Sequence, residues 1–490
     1  SRRQVSERLF DPARTNAEIV ETHVSTIALL GDLAHKRKKP VRFAFVDLTT
    51  QQQRAVACQR EIELNRRFSP DVYLGLEDVV DDDGEVVDHA VLMRRMPSAR
   101  QLSALVRHGE DVSGCVRSIA RRVAAYHADC TRSDAVASAA TPEALRELWT
   151  ANLREMTPFA PGPVNPATLA EIGDLAHRYL QGRTALLEER IAAGWVVDGH
   201  GDLLADDIYC LQDGPRILDG LEFDDRLRWG DVLYDIGFLA MDLERLGRPD
   251  LGHALMDWYR EYSAESHPRS LEHHYVAFRA LVRAKISCLK GADEVAVRAY
   301  IEQCRRHLMA GRVRLVVVGG LPGTGKTTLA RALSDGLGCP LLRSDETRKQ
   351  LAGLDPLTPS PAAYGEGIYT PAATDTAYQE LLERAQRLLA RGESVVVDAS
   401  FSSASWRTKA TRLASELYAD CAELCCVLPA DVAAQRLLSR AGGQRDASDA
   451  TPAVAATMAR SFDSWPTALV VNTIQPLPDV LPGLLDRLGR

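Results

Sequence analysis

The sequence predicts a multidomain protein of mixed class, in which an α+β part is followed by an α/β part. Its 490 residues, 46% of them apolar, suffice for more than one hydrophobic core. Residues 15–100 have the patterns of a small strand-rich lobe, and residues 101–308 those of a larger helical lobe. A helical stretch at 301–314 then runs directly into the apolar strand LVVVGG. We therefore place the domain boundary between residues 1–308 and 309–490.

The charge and the apolar pattern of the chain exclude several classes of partner. There are 59 Lys and Arg against 67 Asp and Glu, which gives a formal charge of −8. A general nucleic-acid or anionic-membrane binder needs a positive surface, so we expect neither partner. No apolar stretch approaches the roughly 18 residues that cross a bilayer, and the start, SRRQVSERLFDPARTN, contains no apolar signal core. We expect a cytoplasmic protein whose ten cysteines, with no CxxC pair, are reduced and mostly buried.

Lysine is scarce in this chain, which makes each lysine informative. Only eight of the 59 basic residues are lysines. Three of them, Lys36, Lys38 and Lys39, are clustered, and another is Lys326. Because Arg and Lys are not interchangeable at phosphate sites, we expect both places to handle phosphate.

A phosphate-binding motif opens the second part of the chain. Gly320-x-x-x-x-Gly325-Lys326-Thr327 stands directly after a strand of β-branched residues and directly before a helical pattern, which favours a P-loop over the alternative of an ordinary glycine-rich turn. Lys326 would bridge the β- and γ-phosphates, and the Thr327 hydroxyl would ligate Mg²⁺. The predicted nucleotide-binding residues are Gly320, Gly323, Thr324, Gly325, Lys326, Thr327 and Thr328.

Two acids follow later strands of this predicted parallel sheet. Asp345 stands at the carboxyl end of a short strand, where it would orient or deprotonate an acceptor hydroxyl. The alternative is that Ser344 or Asp345 only caps the next helix. Asp398 ends the buried strand SVVVD and is similar to the Walker B acid that holds Mg²⁺.

Several arginines are candidates for closing on the transferred phosphate, the alternative being solvated helix faces. They are Arg407, Arg436, Arg440 and Arg445.

On these motifs, residues 312–480 resemble the small P-loop kinases, among them gluconate kinase, polynucleotide 5′-kinase, chloramphenicol phosphotransferase and zeta-type toxins. The resemblance implies a P-loop NTPase fold with a parallel sheet, ATP or GTP use, Asp345 at the acceptor and an Arg-bearing lid at 436–445. Residues 358–375 are expected to form a loop.

The central stretch of the first part, WVVDGHGDLLADDIYCLQDGPRILDGLEFDD, carries three acids at loop ends. A strand leads to Asp202, and a hairpin of two short strands then separates Asp207 from Asp219. Phosphoryl transfer needs one carboxylate for the hydroxyl proton and oxygen ligands for Mg²⁺. Three acids facing one cleft supply both.

This stretch resembles the aminoglycoside phosphotransferase and choline kinase branch of the protein-kinase-like fold, whose pattern is H-G-D-x-x-x-x-N, a hairpin and I-D. The resemblance implies a bilobal fold in which Asp202 is the catalytic base, Asp219 the principal Mg²⁺ ligand and His200 a brace for the loop. Asp231 and Asp235 would be structural supports. Asp207 replaces the metal-binding Asn; it keeps an oxygen ligand but adds a negative charge beside the phosphates.

The small lobe contains a candidate lysine for the α- and β-phosphates. Lys36 is the first choice and Lys38 the second, in AHKRKKPVRFAFVD, where residues 41–48 read as a strand. The helix at 51–68 offers Glu61 or Glu63 as the partner of this lysine. The alternative is a solvated basic turn beside a surface helix.

As a whole, the chain resembles a family of two-domain bacterial proteins in which an aminoglycoside-phosphotransferase-like half precedes a P-loop half. The resemblance implies ATP-dependent phosphorylation and does not identify the acceptor. Our first hypothesis is a bifunctional kinase, in which both halves use Mg²⁺ and ATP to phosphorylate a hydroxyl of a small molecule such as a sugar. One alternative is a nucleotide-binding stress or regulatory protein with a degenerate kinase-like half. Another is an aminoglycoside resistance kinase, for which Glu222, Asp224 and Asp225 would form an acidic drug pocket.

Overall fold

The protein's structure is a computed structural model that describes residues 2–43, 46–355, 365–441 and 450–489. The chain forms two compact units of three segments each, which are Ser1–Leu148, Glu189–Ser266 and Tyr275–Cys304 in the first and Trp149–Glu188, His267–His274 and Arg305–Arg490 in the second. The domain boundary at 308 stays a prediction. Among the described residues, no helix combines the length and apolar character needed to cross a membrane.

The small lobe of the first unit is built on a six-stranded sheet. Its strand order is β1-β7-β8-β4-β3-β2, and every neighbouring pair except β1 with β7 is antiparallel. The elements of this lobe are β1 (Gln4–Ser6), β2 (Glu18–Glu21), β3 (Ser25–Leu30), β4 (Leu33–Lys38), β5 (Arg42–Phe43), β6 (Val46–Asp47), α1 (Gln51–Arg66), β7 (Tyr73–Val80) and β8 (Val86–Arg94). The helix that the sequence predicts at 51–68 is present as α1, and β7 and β8 pair antiparallel beside it.

One strand prediction in this lobe is wrong. Residues 41–48 were expected to form a single strand, but β5 and β6 are two short strands that pair with each other antiparallel, Arg42 opposite Asp47. The polar side chains of Arg42 and Asp47 allow this short pair of strands to form apart from the main sheet. The apolar residues between them in the sequence have the pattern of one continuous strand. Thr50 and Gln53 then start α1 with a capping box.

Helices dominate the chain from residue 102 to residue 310, with two small two-stranded sheets among them. The elements are α2 (Leu102–Arg107), α3 (Ser113–Asp129), α4 (Asp134–Ser138), α5 (Pro142–Met156), α6 (Pro166–Gly182), α7 (Thr184–Ala192), β9 (Val196–Asp198), β10 (Ile208–Leu211), β11 (Gly214–Ile217), β12 (Trp229–Asp231), α8 (Val232–Arg245), α9 (Pro249–Ser263), α10 (Arg269–Leu289) and α11 (Glu294–Ala310). β10 pairs with β11 and β9 with β12, both antiparallel. Helix α8 is buried from Val232 to Leu243 and packs against β12.

A disulfide contradicts the expectation that all ten cysteines are reduced. Cys115 of α3 is bonded to Cys210 of β10, with the two Cα atoms 5.9 Å apart. The other eight cysteines are free, and five of them are buried. Spacing along the sequence could not predict this pair, because 95 residues separate its members.

The second unit contains a five-stranded, wholly parallel sheet with the order β14-β15-β13-β16-β17. Its elements are β13 (Arg314–Gly320), α12 (Lys326–Leu337), β14 (Leu341–Arg343), α13 (Ser344–Leu351), α14 (Pro371–Ala390), β15 (Val395–Asp398), α15 (Ala404–Glu416), β16 (Asp420–Val427), α16 (Ala430–Ala441), α17 (Pro452–Arg460), β17 (Leu469–Asn472) and α18 (Leu477–Arg487). Every residue of the central strand β13 is buried, as parallel strands covered on both faces require. The predicted parallel sheet with a P-loop after its central strand is confirmed.

Helix α6 packs on this sheet domain although it lies far upstream in the chain. The guanidinium of Arg183, just after α6, donates to the carbonyl oxygens of Leu389 and Leu417 at the ends of α14 and α15. A Cβ atom on Gly182 would lie 2.2 Å from the carbonyl oxygen of Leu417, so only glycine permits this approach. These contacts explain why residues 149–188 group with the second unit.

Candidate functional site

Two lysines of β4 and one glutamate of α1 form the centre of the N-terminal site. Lys36 Nζ lies 2.8 Å from Glu61 Oε1 and 2.7 Å from Asp219 Oδ1. Lys38, on the same face of β4, lies 2.6 Å from Glu61 Oε2. Both lysines are buried within a strand, so the alternative of a solvated basic turn is wrong. Glu63, the other partner that the sequence left open, is exposed.

The charges of this centre stabilise one another against burial. Burial alone would lower the pKa of Lys36, but Asp219 and Glu61 outweigh it and raise that pKa well above its ordinary value. Burial likewise opposes ionisation of Glu61, yet Lys36 and Lys38 lower its pKa to about 2. Lys36 and Glu61 are therefore both charged at neutral pH.

The carboxylate of Asp235 clamps the backbone of the loop after β9. The N–H of His200 donates to Asp235 Oδ2 at 2.5 Å, and the N–H of Gly201 donates to Oδ1 at 2.8 Å. A Cβ atom at Gly199 would lie 2.2 Å from this carboxylate, which explains the glycine. Asp231 caps α8 by accepting from the N–H of Leu233 and also pairs with Arg190. Asp235 thus supports the loop from α8, whereas Asp231 supports the start of α8 and its contact with α7.

The imidazole of His200 connects two of the predicted site segments. One ring nitrogen, Nε2, donates to the carbonyl oxygen of Leu218 at 3.0 Å, and Nδ1 accepts from the N–H of Asp202 at 3.3 Å. Burial lowers the pKa of His200, which keeps the ring neutral and preserves this donor and acceptor pattern. His200 therefore holds the Asp202 loop against the strand that leads to Asp219.

The hairpin of β10 and β11 brings Asp207 and Asp219 to the same end. The N–H of Leu218 donates to the carbonyl oxygen of Asp207 at 3.0 Å. Burial, then Asp219, then Asp202 raise the pKa of Asp207 well above its ordinary value, and burial also raises that of Asp202. Asp219 is the exposed member, at a positive φ of 57°. The three carboxylates are thus close enough to affect the pKa of Asp207, while their roles in catalysis and metal binding stay predictions.

The donor chemistry of this cluster fits Mg²⁺, which prefers carboxylate and phosphate oxygens. Within the described ranges, no group of three or more His, Cys, Asp and Glu side chains is arranged as a complete metal site. Asp207 and Asp219 would therefore supply part of the coordination, and phosphate oxygens of a nucleotide the rest. Their metal-binding role stays a prediction.

The sequence did not predict three residues that hold the Asp219 segment in place. The side-chain oxygen of Asn65 accepts from the N–H of Gly220 at 2.7 Å. The Tyr73 hydroxyl accepts from the N–H of Asp219 at 3.1 Å, and Ser69 Oγ donates to the carbonyl oxygen of Ile217 at 2.9 Å. The available signal was the position of Asn65, four residues after Glu61 on the same face of α1.

The acids proposed for an aminoglycoside pocket are each paired within the chain. Lys38 contacts Glu222, and Arg226 contacts Asp224 at 2.8 Å. Asp225 receives Arg60 at 3.0 Å and Arg228 at 2.7 Å. The negative charge that a polycationic drug would need is thus neutralised by these partners, and the expectation of an open acidic pocket is wrong.

The loop between β13 and α12 has the geometry of a phosphate cradle. Gly320, Gly323 and Gly325 have φ values of 137°, 82° and 81°. A Cβ atom at Gly320 would lie 2.5 Å from the carbonyl oxygen of Cys426, and one at Gly323 would lie 2.7 Å from that of Ala433. Only glycines permit this path, which leads to the positive end of α12 at Lys326.

A buried acid stands beside the helix that follows this loop. Thr327 Oγ1 donates to Asp398 Oδ2 at 2.7 Å, and Arg343 Nε lies 3.3 Å from the same oxygen. The other oxygen of Asp398 is buried and has no hydrogen-bond partner among the described residues. Burial raises the pKa of Asp398, which Lys326 and Thr327 partly offset. An orphaned carboxylate oxygen beside a threonine hydroxyl fits the predicted Mg²⁺ ligands.

Asp345 lines a cavity of about 330 Å³ together with Lys326, Arg348, Tyr378 and Trp406. The capping alternative for Asp345 is wrong, because Arg343 is the N-cap residue of α13 and no side chain caps this helix. Instead Asp345 Oδ1 accepts from Arg348 Nη1 at 2.8 Å. Arg348, one helical turn after Asp345, is a further site residue that the sequence reasoning missed.

The P-loop also borders a second cavity of about 460 Å³. Thr328 and Arg436 line it, together with the segment from Asn472 to Gln475 that follows β17. Thr324, within the P-loop, donates to the carbonyl oxygen of Leu321 at 2.7 Å and so stabilises the turn itself. Different P-loop residues line the two cavities: Lys326 lines the 330 Å³ cavity, and Thr328 lines the 460 Å³ cavity.

The four candidate arginines differ in their contacts and in whether the structure describes them. The guanidinium of Arg407 is buried and donates to the carbonyl oxygens of Ser402, Asp463 and Ser464, so its expected closure on phosphate is wrong. Arg436 stands beside Gly325 and donates to the carbonyl oxygen of Thr473 at 3.1 Å. Arg440 lies in α16, and its role stays a prediction. Arg445 and residues 358–364 of the expected loop lie outside the described residues, and α14 begins at Pro371.

Two mycobacterial proteins are similar to almost the whole chain. The uncharacterized protein Rv2004c of Mycobacterium tuberculosis (strain ATCC 25618 / H37Rv) is 38% identical over 464 residues, which cover 94% of this chain and 93% of that protein. The same values hold for the uncharacterized protein Mb2027c of Mycobacterium bovis (strain ATCC BAA-935 / AF2122/97). The chain belongs to the family of Rv2004c.

In this member of the Rv2004c family, the AAA domain family model matches residues 315–465. Among solved structures, a gluconokinase from Sinorhizobium meliloti 1021 is similar to 36% of this chain and 93% of its own, with 22% identity and a TM-score of 0.26. A choline/ethanolamine kinase family protein from Mesorhizobium loti is similar to 61% of this chain and 90% of its own, with 14% identity and a TM-score of 0.37. An aminoglycoside phosphotransferase from Alicyclobacillus acidocaldarius is similar to 60% of this chain and 89% of its own, with 13% identity and a TM-score of 0.35. The match of the AAA domain model confirms the P-loop domain that the sequence predicts in the second part of the chain.

Proposed function

We propose that this protein is an ATP- and Mg²⁺-dependent phosphotransferase in which each half transfers the γ-phosphate of ATP to a hydroxyl of a small molecule. The observation that carries the proposal is the Lys36–Glu61 ion pair beside Asp219, in a chain that also has Lys326 and Thr327 beside Asp398. Two unrelated arrangements for holding a triphosphate in one chain are difficult to explain by any other activity.

In the N-terminal half, each residue has a separate task. Lys36, held by Glu61, binds the α- and β-phosphates, and Asp202 accepts the proton of the acceptor hydroxyl. His200 keeps the Asp202 loop in place through the N–H of that residue. Bound Mg²⁺, in either half, neutralises charge on the phosphate oxygens.

In the C-terminal half, the 330 Å³ cavity is the proposed acceptor site. Asp345 accepts the hydroxyl proton, and Arg348 orients its carboxylate. Hydroxyls and two stacked rings, Tyr378 and Trp406 with centroids 5.1 Å apart, line the cavity. This lining supports a polyhydroxylated acceptor such as a sugar, which combines polar edges with apolar faces. The 460 Å³ cavity at Thr328 and Arg436 is the proposed place of the nucleobase.

The test is ADP production by the full chain against a panel of sugars and other hydroxylated metabolites. Asp202→Asn and Asp345→Asn should each remove a separable share of the activity, because each deletes one acceptor base. Asp206→Asn and Asp335→Asn make the same chemical change at exposed positions and should leave both shares unchanged. Full activity in the Asp202→Asn/Asp345→Asn double variant would refute the proposal.

One observation favours a second candidate, a nucleotide-binding regulatory protein with an inactive N-terminal half. Asp207 adds a third carboxylate beside Asp202 and Asp219, where phosphates must also bind. A regulator would bind Mg²⁺–ATP at the N-terminal site without producing ADP, whereas the bifunctional kinase turns it over.

The proposed partner of either activity is a small molecule, and neither a nucleic acid nor a membrane. The proposed location is the cytoplasm, where a disulfide such as Cys115–Cys210 would be unusual.

A further inference from the structure

The two buried lysines of β4 share Glu61 but differ in their other contacts. The Lys36 side chain is 11% exposed and also contacts Asp219, which is 46% exposed. The Lys38 side chain is fully buried and contacts Glu222, which is 10% exposed. We call Lys38, Glu61 and Glu222 the Lys38 cluster. Lys36 therefore faces the open side of the site, and Lys38 the closed side.

The chemistry of the Lys38 cluster commits Lys38 to its present partners. Its ammonium lies between two carboxylates and 5.3 Å from the centre of the Phe223 ring. Breaking one partner out of a buried ion pair leaves an uncompensated charge in a poorly solvated place, which is strongly unfavourable. Lys38 is thus held away from any phosphate, whereas Lys36 only has to exchange Asp219 for a phosphate oxygen.

The cluster also connects the three segments that make the site. Lys38 belongs to β4 and Glu61 to α1, while Glu222 follows Asp219 by three residues. When Lys36 leaves Asp219, Glu61 still has Lys38 as a second cation and keeps its place. The position of α1 therefore does not depend on whether a nucleotide is bound.

We propose that Lys38 and Glu222 are positioning residues that hold Glu61 and the segment after Asp219 in their binding positions before nucleotide arrives, so that Lys36 alone contacts the phosphates. This inference rests on the proposed kinase function of the N-terminal half. It also separates the roles of two lysines that the sequence could not distinguish.

The test uses the full chain carrying Lys326→Ala, which silences the P-loop site, and measures Mg²⁺–ATP binding by titration calorimetry together with the melting temperature. Lys38→Met takes the cation away from Glu222, and Glu222→Gln takes one of its two carboxylates away from Lys38, so both should lower the melting temperature. The double variant restores the charge balance and should recover the melting temperature. Its affinity for Mg²⁺–ATP should stay about tenfold weaker than that of the parent, because the positioning contact is lost.

Matched controls make the outcomes distinct. Lys39→Met/Glu21→Gln removes a neighbouring but partly exposed pair and should change neither readout. Lys36→Met should abolish binding. Parental affinity in the Lys38→Met/Glu222→Gln variant would overturn the inference, since a purely structural role predicts that both readouts recover. Binding that survives Lys36→Met but not Lys38→Met would also overturn it. Absence of Mg²⁺–ATP binding in the Lys326→Ala parent would instead refute the kinase function of the N-terminal half, and the inference with it.

Discussion

The two proposed phosphate-binding centres of this protein are built on opposite principles. The P-loop centre is contiguous: residues 320–328 contribute the glycines, the lysine and the threonines. The N-terminal centre is dispersed, and its Lys36 and Asp219 are 183 residues apart in the chain. One centre therefore follows from a short segment, and the other exists only when a whole domain has folded.

The two centres also differ in what holds the phosphate. The P-loop relies on backbone N–H groups and the end of a helix, with one lysine added. The N-terminal centre relies on buried side-chain charges, two lysines against Glu61, Glu222 and Asp219. Backbone groups remain polar whatever their neighbours, whereas buried charges depend on each partner. We expect the N-terminal centre to be the more sensitive to distant substitutions.

The largest expected effect is on the cross-link of the dispersed centre. Cys115→Ser removes the bond that ties α3 to β10, in the hairpin between Asp207 and Asp219. For a loop of 95 residues the chain-entropy model gives a loss of up to about 4.7 kcal/mol in the free energy of unfolding. Urea titration measures it. Cys339→Ser, which changes a free thiol, is the control and should cost less than about 1 kcal/mol.

The next effect is on the contiguous centre. Lys326→Ala should weaken nucleotide binding at the P-loop about 100-fold, equivalent to about 2.7 kcal/mol, because the charge-assisted contacts to phosphate are lost. Calorimetric titration of the full chain with Mg²⁺–ATP should then retain one class of site. Lys290→Ala, an exposed lysine, should retain two. Two intact sites in Lys326→Ala would show that the centres differ less than we conclude.

A smaller effect concerns the free energy of unfolding, which the buried Asp202 of the dispersed centre lowers at neutral pH. Burial raises the pKa of Asp202, so the folded state binds this proton more tightly than the unfolded state. Its contribution to stability is complete below the ordinary pKa of 3.8 and is lost as the pH rises through the raised value. Asp202→Asn should therefore stabilise the protein by about 1 kcal/mol at pH 7 and not at all below pH 3.8. Unfolding measured at several pH values tests the sign; a destabilisation at pH 7 would contradict it.

The smallest effect concerns the departure from the kinase pattern. Asp207→Asn removes one negative charge beside Asp219 and Asp202 at any pH high enough to ionise Asp207, whose pKa burial and these neighbours raise. A unit charge at about 4 Å is worth about 1 kcal/mol in water, so Mg²⁺–ATP affinity of the Lys326→Ala chain should rise about five-fold. Asp206→Asn, at the exposed neighbouring position, is the matched control. Weaker binding in Asp207→Asn would mean that this carboxylate acts chiefly as a metal ligand.

The sequence predicted the P-loop centre more fully than the N-terminal one. Gly320 to Thr328 are adjacent in the chain, so their spacing alone carries their geometry. The partners Lys36 and Glu61 were found through scarcity of lysine and helix position, but Glu63 could not be excluded because burial was unknown. Asn65 and Tyr73 hold the Asp219 segment through hydrogen bonds that connect separate elements. No local pattern marks such contacts.

The sequence by itself determined the order of the two parts, the parallel sheet with its phosphate cradle and the acids at strand ends, because periodicity and short motifs depend on neighbouring residues. Tertiary structure alone decided that Lys38 pairs with Glu222, that Arg407 binds backbone carbonyls, that Cys115 meets Cys210 and that helix α6 packs on the P-loop domain. These contacts join residues far apart in the chain, and whether such residues meet depends on the packing of every element between them.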